Sequence, residues 1–275
     1  MQKNTLATLS KWIIPIAALL AIAAYLYISP PGLLGKADAV GYAICHRIGE
    51  RSFHIGERQL PMCARDTGTF TSAAVSLTIM ALIGRKRGGV PPKKLIIALA
   101  VFAGIWAIDG ANSYLYLIKQ TYSGALPQIP NIYIPNNVLR LLTGSGMGMG
   151  MATALYMAFN QTAWKEVDAR PALATWRDLG LLVGIMLLID LAILSESPIV
   201  LYPIAFISVL GVLTLLTLIF SVVWMMIMKQ ENSFASLREM WLPLIAGLTL
   251  ALIMIMGIDL FRLQLTGTWG AFPLG

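Results

Sequence analysis

The stretch "CHRIGERSFHIGERQLPMCARDTG", residues 45–68, holds every cysteine and histidine of the chain: Cys45, Cys63, His46 and His54. The spacing is C-H-x7-H-x8-C-x2-D, ending on Asp66. Thiolate, imidazole and carboxylate side chains bind zinc or iron, and four of them close a tetrahedral site. Cys63 and Asp66 stand one helical turn apart and can reach one ion. Cys45 completes a third ligand, with His46 or His54 as the fourth. The candidate metal set is therefore Cys45, His46, Cys63 and Asp66, and the candidate cofactor is zinc or iron. A disulfide is the competing use of the two cysteines on an oxidising face, where closing a loop of this length contributes about 3 kcal/mol. In that case His46, His54 and Asp66 remain for acid–base chemistry. Arg47, Arg51, Arg58 and Arg65 offer planar forks to phosphate or carboxylate. They can equally bind lipid headgroups or pair with Glu50, Glu57 and Asp66 of the same stretch.

The elements around this stretch are apolar. Of 275 residues, 57% are hydrophobic and 12% are charged, and the mean hydropathy is +0.75. A soluble domain carries about twice that charge, so the class is a polytopic membrane protein. Runs long enough to cross a hydrocarbon core lie at about 12–29, 69–84, 95–118, 138–160, 179–195, 199–228 and 240–262. Each must be helical, because lipid offers the backbone no partner. The fifth and sixth are separated only by "ESP", residues 196–198, which suits a tight hairpin. The first run lacks a clear small-x-small cleavage site after it and reads as an uncleaved anchor. A net charge of +7 reflects basic cytoplasmic loops rather than a nucleic-acid partner. With the N-terminus inside, twelve of the 20 lysines and arginines lie inside, including "RKRGGVPPKK" at 85–94. The 45–68 stretch then faces outward.

Ionisable groups within spans are costly and mark function or buried pairs. Asp109, Arg140, Asp190, Asp259 and Arg262 all fall toward the outer ends of their spans, on the side of the Cys/His stretch, with Asn112 and Tyr116 on the face of Asp109. One outward polar cavity roofed by residues 45–68 accounts for them. Asp109 is the candidate general base, and Arg51 and Arg140 are the candidate anion holders. The bland alternatives are structural pairs, Asp109 with Arg140 and Asp259 with Arg262. Gly144, Gly148, Gly146 and Gly150 form two small-xxx-small pairs, which read as helix-packing faces. Residues 164–178 read as a mixed-charge loop with an interfacial helix and tryptophans at the membrane surface.

"CHRIGERSF" and "LPMCARDTG", followed by "IDG" at 108–110 and "NNVLRLLTGSGMG" at 136–148, resemble the signature of an uncharacterised prokaryotic family of integral membrane proteins, domain of unknown function 2085. The likeness covers about residues 40–150. It implies motif positions at Cys45, His46, Arg51, Cys63, Arg65, Asp109, Gly110, Asn137, Arg140, Thr143 and Gly144, and it implies no activity. Relatives of this family often read CARC where this chain has "CARD", so Asp66 stands in place of a cysteine and gives a metal site a harder ligand.

The expected architecture is an all-α transmembrane bundle of about seven spans in one membrane domain, residues 1–275. It comprises an outer Cys/His/Arg loop at 30–68, family-like spans at 69–160 and further spans at 179–262. The expected location is the prokaryotic cytoplasmic membrane, with lipids as neighbours. Three functions fit: a metal-dependent enzyme acting on an anionic or lipidic substrate, an accessory subunit of a larger membrane complex with the loop as a stapled cap, and a small-solute transporter. Little sign of inverted halves supports the last.

Overall fold

A computed structural model describes residues 2–122 and 126–270. Seven long helices coincide with the seven apolar runs: α1 Gln2–Ile28, α3 Ala64–Ile83, α4 Lys93–Thr121, α5 Asn137–Ala163, α6 Trp176–Leu194, α7 Pro198–Ile227 and α8 Trp241–Thr266. Five of them, α1, α3, α4, α7 and α8, are long and apolar enough to cross a membrane by length and composition. Helices α5 and α6 fall short for visible reasons. Four glycines and several hydroxyl side chains dilute α5, while α6 carries Arg177, Asp178 and Asp190.

Local chemistry explains the boundaries. Pro30 and Pro31 end α1 by removing donors. Asn136 caps α5 by accepting from the Leu139 amide at 2.9 Å. Thr175 and Asp178 form a reciprocal capping box at the start of α6. The α6–α7 hairpin is tight, and Glu196 takes the left-handed conformation at φ 50° to make it.

Helix α3 is the hub. It packs against α5 along small residues and against α7 on its other side, while α8 packs on α7 and α1 on α8. A methyl group at Gly144 or Gly148 would overlap the Arg65 or Thr69 carbonyl oxygen, so the α3–α5 contact is backbone to backbone. Gly146 faces Phe102 of α4, and Gly150 lies beside the Leu99 carbonyl of α4 with room for a methyl group. Two interleaved glycine pairs thus serve two neighbours, and only one pair is a close-packing face.

Residues 30–68 are more ordered than a loop. They contain a twelve-residue helix, α2 Leu33–Ile44, and a short hairpin, β1 His54–Ile55 and β2 Arg58–Gln59. Eight of the twelve α2 residues are buried. The helix is too short to span, and its packing between α7 and α8 gives its apolar face a core. Helix α3 starts at Ala64, five residues before its expected start, because its polar first turn faces a cavity instead of lipid. The expected interfacial helix at 164–178 is absent. Residues 164–175 run as irregular chain before α6 begins, bridging Asp168 to Arg87 and Trp164 to Phe234, and of the tryptophans of 164–178 only Trp176 is exposed.

Candidate metal centre in an arginine-lined cavity

Cys45 closes the C-terminal end of α2, and Cys63 is the residue that precedes α3. Arg262 of α8 fixes this junction. Its guanidinium donates to the carbonyl oxygens of Tyr42 and Cys45, the latter at 2.8 Å, and lies over the Tyr42 ring at 4.0 Å. Gly41 allows α2 to sit directly against the Pro61 carbonyl, where a side chain would collide. The two chain segments carrying the cysteines are thereby clamped together.

The sulfur of Cys45, the sulfur of Cys63 and a carboxylate oxygen of Asp66 lie within 4.8 Å of one another. Both cysteines are free thiols. The Cys45 sulfur accepts two backbone N–H bonds, from Cys63 at 3.2 Å and from Arg47 at 3.4 Å. The second depends on Arg47 taking a left-handed turn at φ 53°. The Cys63 thiol hydrogen-bonds Asp66 at 3.2 Å. Its pKa is raised well above the ordinary value by the contact with Cys45, by burial and by the Asp66 charge. A cation among the three groups would reverse that penalty.

His46, expected as the fourth ligand, is not part of this cluster. It is exposed on the cavity rim, edge-on to Tyr114 with ring centroids 6.3 Å apart. It follows Cys45 directly, so in extended chain its side chain leaves on the opposite face. His54 lies in the β1–β2 hairpin.

The cluster borders a cavity of about 460 Å³ between the α2–α3 junction and α4. One wall is cationic, with Arg47, Arg51, Arg65 and Arg140, and Asp66 is the only carboxylate among the described lining residues. Arg47 is neutralised by Asp38 at 3.0 Å, and Asp38 also holds Arg58 at 2.6 Å. Arg65 is neutralised by Asp109. Arg51 and Arg140 have no ion-pair partner among the described residues. Arg51 donates to the Ser113 carbonyl at 3.2 Å, and burial together with the nearby Arg65 guanidinium lowers its pKa. Arg140 donates to Asn137 at 2.8 Å, yet its Nε is buried with no partner and the residue is only 6% exposed. The opposite wall is apolar, built from Trp106, Ala107, Ala111 and Leu117 of α4.

Asp109, the expected base, sits behind this wall and is 1% exposed. Arg65 clasps one carboxylate oxygen with two donors, through Nε at 3.1 Å and through a terminal nitrogen. Thr143 lies 3.4 Å from the same oxygen, and the Tyr133 hydroxyl donates to the other at 2.5 Å. Burial and that bond push the Tyr133 pKa up to about 12, so the phenol remains a donor. The considered Asp109–Arg140 pair is therefore replaced by Asp109–Arg65. Asn112 clamps the connection before α5: its oxygen accepts from the Ile132 amide at 2.9 Å, and its amide donates to the Tyr133 carbonyl at 3.0 Å.

The single polar cavity gathers fewer groups than expected. Asp190 accepts from Ser145 at 2.9 Å on the α5–α6 side, away from the lining residues. Asp259 and Arg262 do not line it either, and Arg262 donates to the Cys45 carbonyl. Arg262 and Arg47 were named from the sequence, but their contacts with Cys45, through its carbonyl and its sulfur, were not expected. The signal was present, since an arginine near the end of an apolar helix requires a partner, but the partner lay some 200 residues away.

The family model described as Predicted membrane protein (DUF2085) matches residues 45–154. That range opens on the first cysteine and contains every described cavity-lining residue except Ile44. An uncharacterized protein of Methanothermobacter thermautotrophicus strain Delta H is 30% identical over 109 residues, which is 40% of this chain and 81% of the relative. No solved structure matches. The three ligand residues and the Arg65–Asp109 pair lie within that matched segment, and the chain belongs to the DUF2085 family of membrane proteins.

Proposed function

We propose that this chain is a seven-span protein of the prokaryotic cytoplasmic membrane, N-terminus inside, whose outward-facing cavity holds zinc or iron and binds an anionic amphiphile on which that ion acts. The observation that carries this reading is the approach of three ligand atoms, from Cys45, Cys63 and Asp66, within 4.8 Å beside a cavity of about 460 Å³. Structural zinc sites are closed by four protein ligands, whereas catalytic ones hold three and leave one position open. A bound ion would supply Lewis acidity and activate water at neutral pH.

The chain's own residues supply the rest. Arg51 and Arg140 hold the anionic group, and the buried unpartnered Nε of Arg140 supports that role. The apolar α4 wall receives the hydrocarbon portion. Asp109 is a positioning residue, keeping Arg65 in the floor between ligands and anion.

Cobalt(II) titration of purified protein tests this reading. Wild type should develop thiolate-to-cobalt absorption with low-symmetry ligand-field bands, and inorganic phosphate should perturb those bands. Cys63→Ser should lose the absorption. Arg140→Gln should keep it and lose the phosphate response. Absence of any cobalt signal, with thiols that resist alkylation until reduced, would favour the other reading, a disulfide-stapled cap that docks onto a larger membrane complex.

A further inference from the structure

The far end of the bundle carries a second feature, independent of the metal centre. Three cavities there share walls. An apolar furrow of about 460 Å³ runs between α3 and α7 from Ala74 and Ile207 to Thr78 and Thr214. A second cavity, of about 350 Å³, shares Leu77, Thr78 and Thr214 with it and continues past Ala81 to Arg85. A third, of about 360 Å³, shares Arg85, Trp164 and Leu237 with the second and adds Lys86 and Arg238. Together they make one path, greasy along its length and basic at its mouth.

Charge and length identify the occupant. Every charged side chain lining the three cavities is basic. Arg85 and Arg238 are exposed and form no ion pair among the described residues. Lys86 is held in place, 4.8 Å above the Trp164 ring and 3.1 Å from the Ala235 carbonyl. Two acids lie nearby: Asp168, whose amide bonds the Lys86 carbonyl and whose carboxylate is paired with Arg170 at 2.8 Å, and Glu239, next in sequence to Arg238. The Glu239 carboxylate is spent on the Ala235 amide and the Ser236 hydroxyl. Along α3, Ala74 to Ile83 spans roughly 15 Å at the helical rise, about half of a hydrocarbon core. That is the depth of one leaflet. Basic pockets between membrane helices bind anionic headgroups.

We propose that the α3–α7 furrow is a binding site for one anionic phospholipid, with acyl chain between Ala74 and Ala81 and phosphate among Arg85, Lys86 and Arg238. The site belongs to the leaflet that meets the 85–94 loop, whichever way the chain inserts. It places a lipid against α3, whose other end carries Cys63 and Asp66.

Delipidated protein in neutral detergent is titrated with phosphatidylglycerol or phosphatidylcholine of identical chains, and bound lipid is counted by native mass spectrometry. One phosphatidylglycerol should be retained per chain, with phosphatidylcholine about tenfold weaker. The double variant Arg85→Gln/Arg238→Gln, both sites exposed, should bind the two lipids alike. Ala81→Trp should weaken both by filling the furrow. Equal retention of the two lipids by wild type, or a preference that survives in the double variant, would overturn the proposal.

Discussion

Arg65 and Asp109 illustrate what single residues reveal and conceal. Their types and the apolar surroundings of Asp109 show that a buried carboxylate needs a partner. The sequence reading paired Asp109 with Arg140, and the fold pairs it with Arg65. Asp109→Asn should leave that guanidinium facing an amide and cost about 3–5 kcal/mol in unfolding free energy, measured in mixed micelles with denaturant. The double variant Arg65→Met/Asp109→Leu should recover most of the loss, because removing both charges also removes their desolvation penalty. Of the four expected ligand positions, the fold brings Cys45, Cys63 and Asp66 within 4.8 Å of one another. The fourth, His46, is adjacent to Cys45, and adjacency in sequence sends side chains to different faces. His46→Ala should therefore leave the cobalt spectrum close to wild type, whereas Cys45→Ser should abolish it.

Among the elements, apolar length located all seven long helices, with most ends within a few residues and the start of α1 placed about ten residues late, because a lipid-facing helix must be greasy over its membrane-crossing length. The same criterion misplaced the start of α3 and missed α2. Both fail for one reason: these segments face protein, so their polarity follows the cavity and the packing, not the lipid. The glycines of α5 carried packing information at the right spacing, but not which neighbour each would meet. Gly144→Ala and Gly148→Ala should each cost about 1–3 kcal/mol by forcing α3 and α5 apart. Gly150→Ala, which meets nothing closer than 3.9 Å, should be neutral or stabilising by about 1 kcal/mol. Thermal unfolding of the three variants in one detergent checks the contrast.

At the scale of the whole molecule, the polar chemistry is sorted to the two ends. Thiols, arginines and carboxylates gather where α2 meets α3, and the basic 85–94 loop with Arg238 occupies the other end. The charge bias of the loops sets the expected insertion, with the 85–94 end inside. An epitope inserted at the hairpin turn, Gly56–Glu57, should be reached by antibody in intact spheroplasts, and one inserted at Gln230–Glu231 only after permeabilisation. The sequence made the two ends legible because charge cannot be hidden in lipid. It did not reveal that α8 returns to brace Cys45, since that contact arises from the packing of distant helices.

The central claim is that Cys45, Cys63 and Asp66 hold a metal ion. Elemental analysis of protein purified in detergent without added metal, wild type beside Cys63→Ser, tests it most directly. The expected result is close to one zinc or iron per wild-type chain and a small fraction of that in the variant. Metal content at background in wild type, or a full complement in Cys63→Ser, would contradict it.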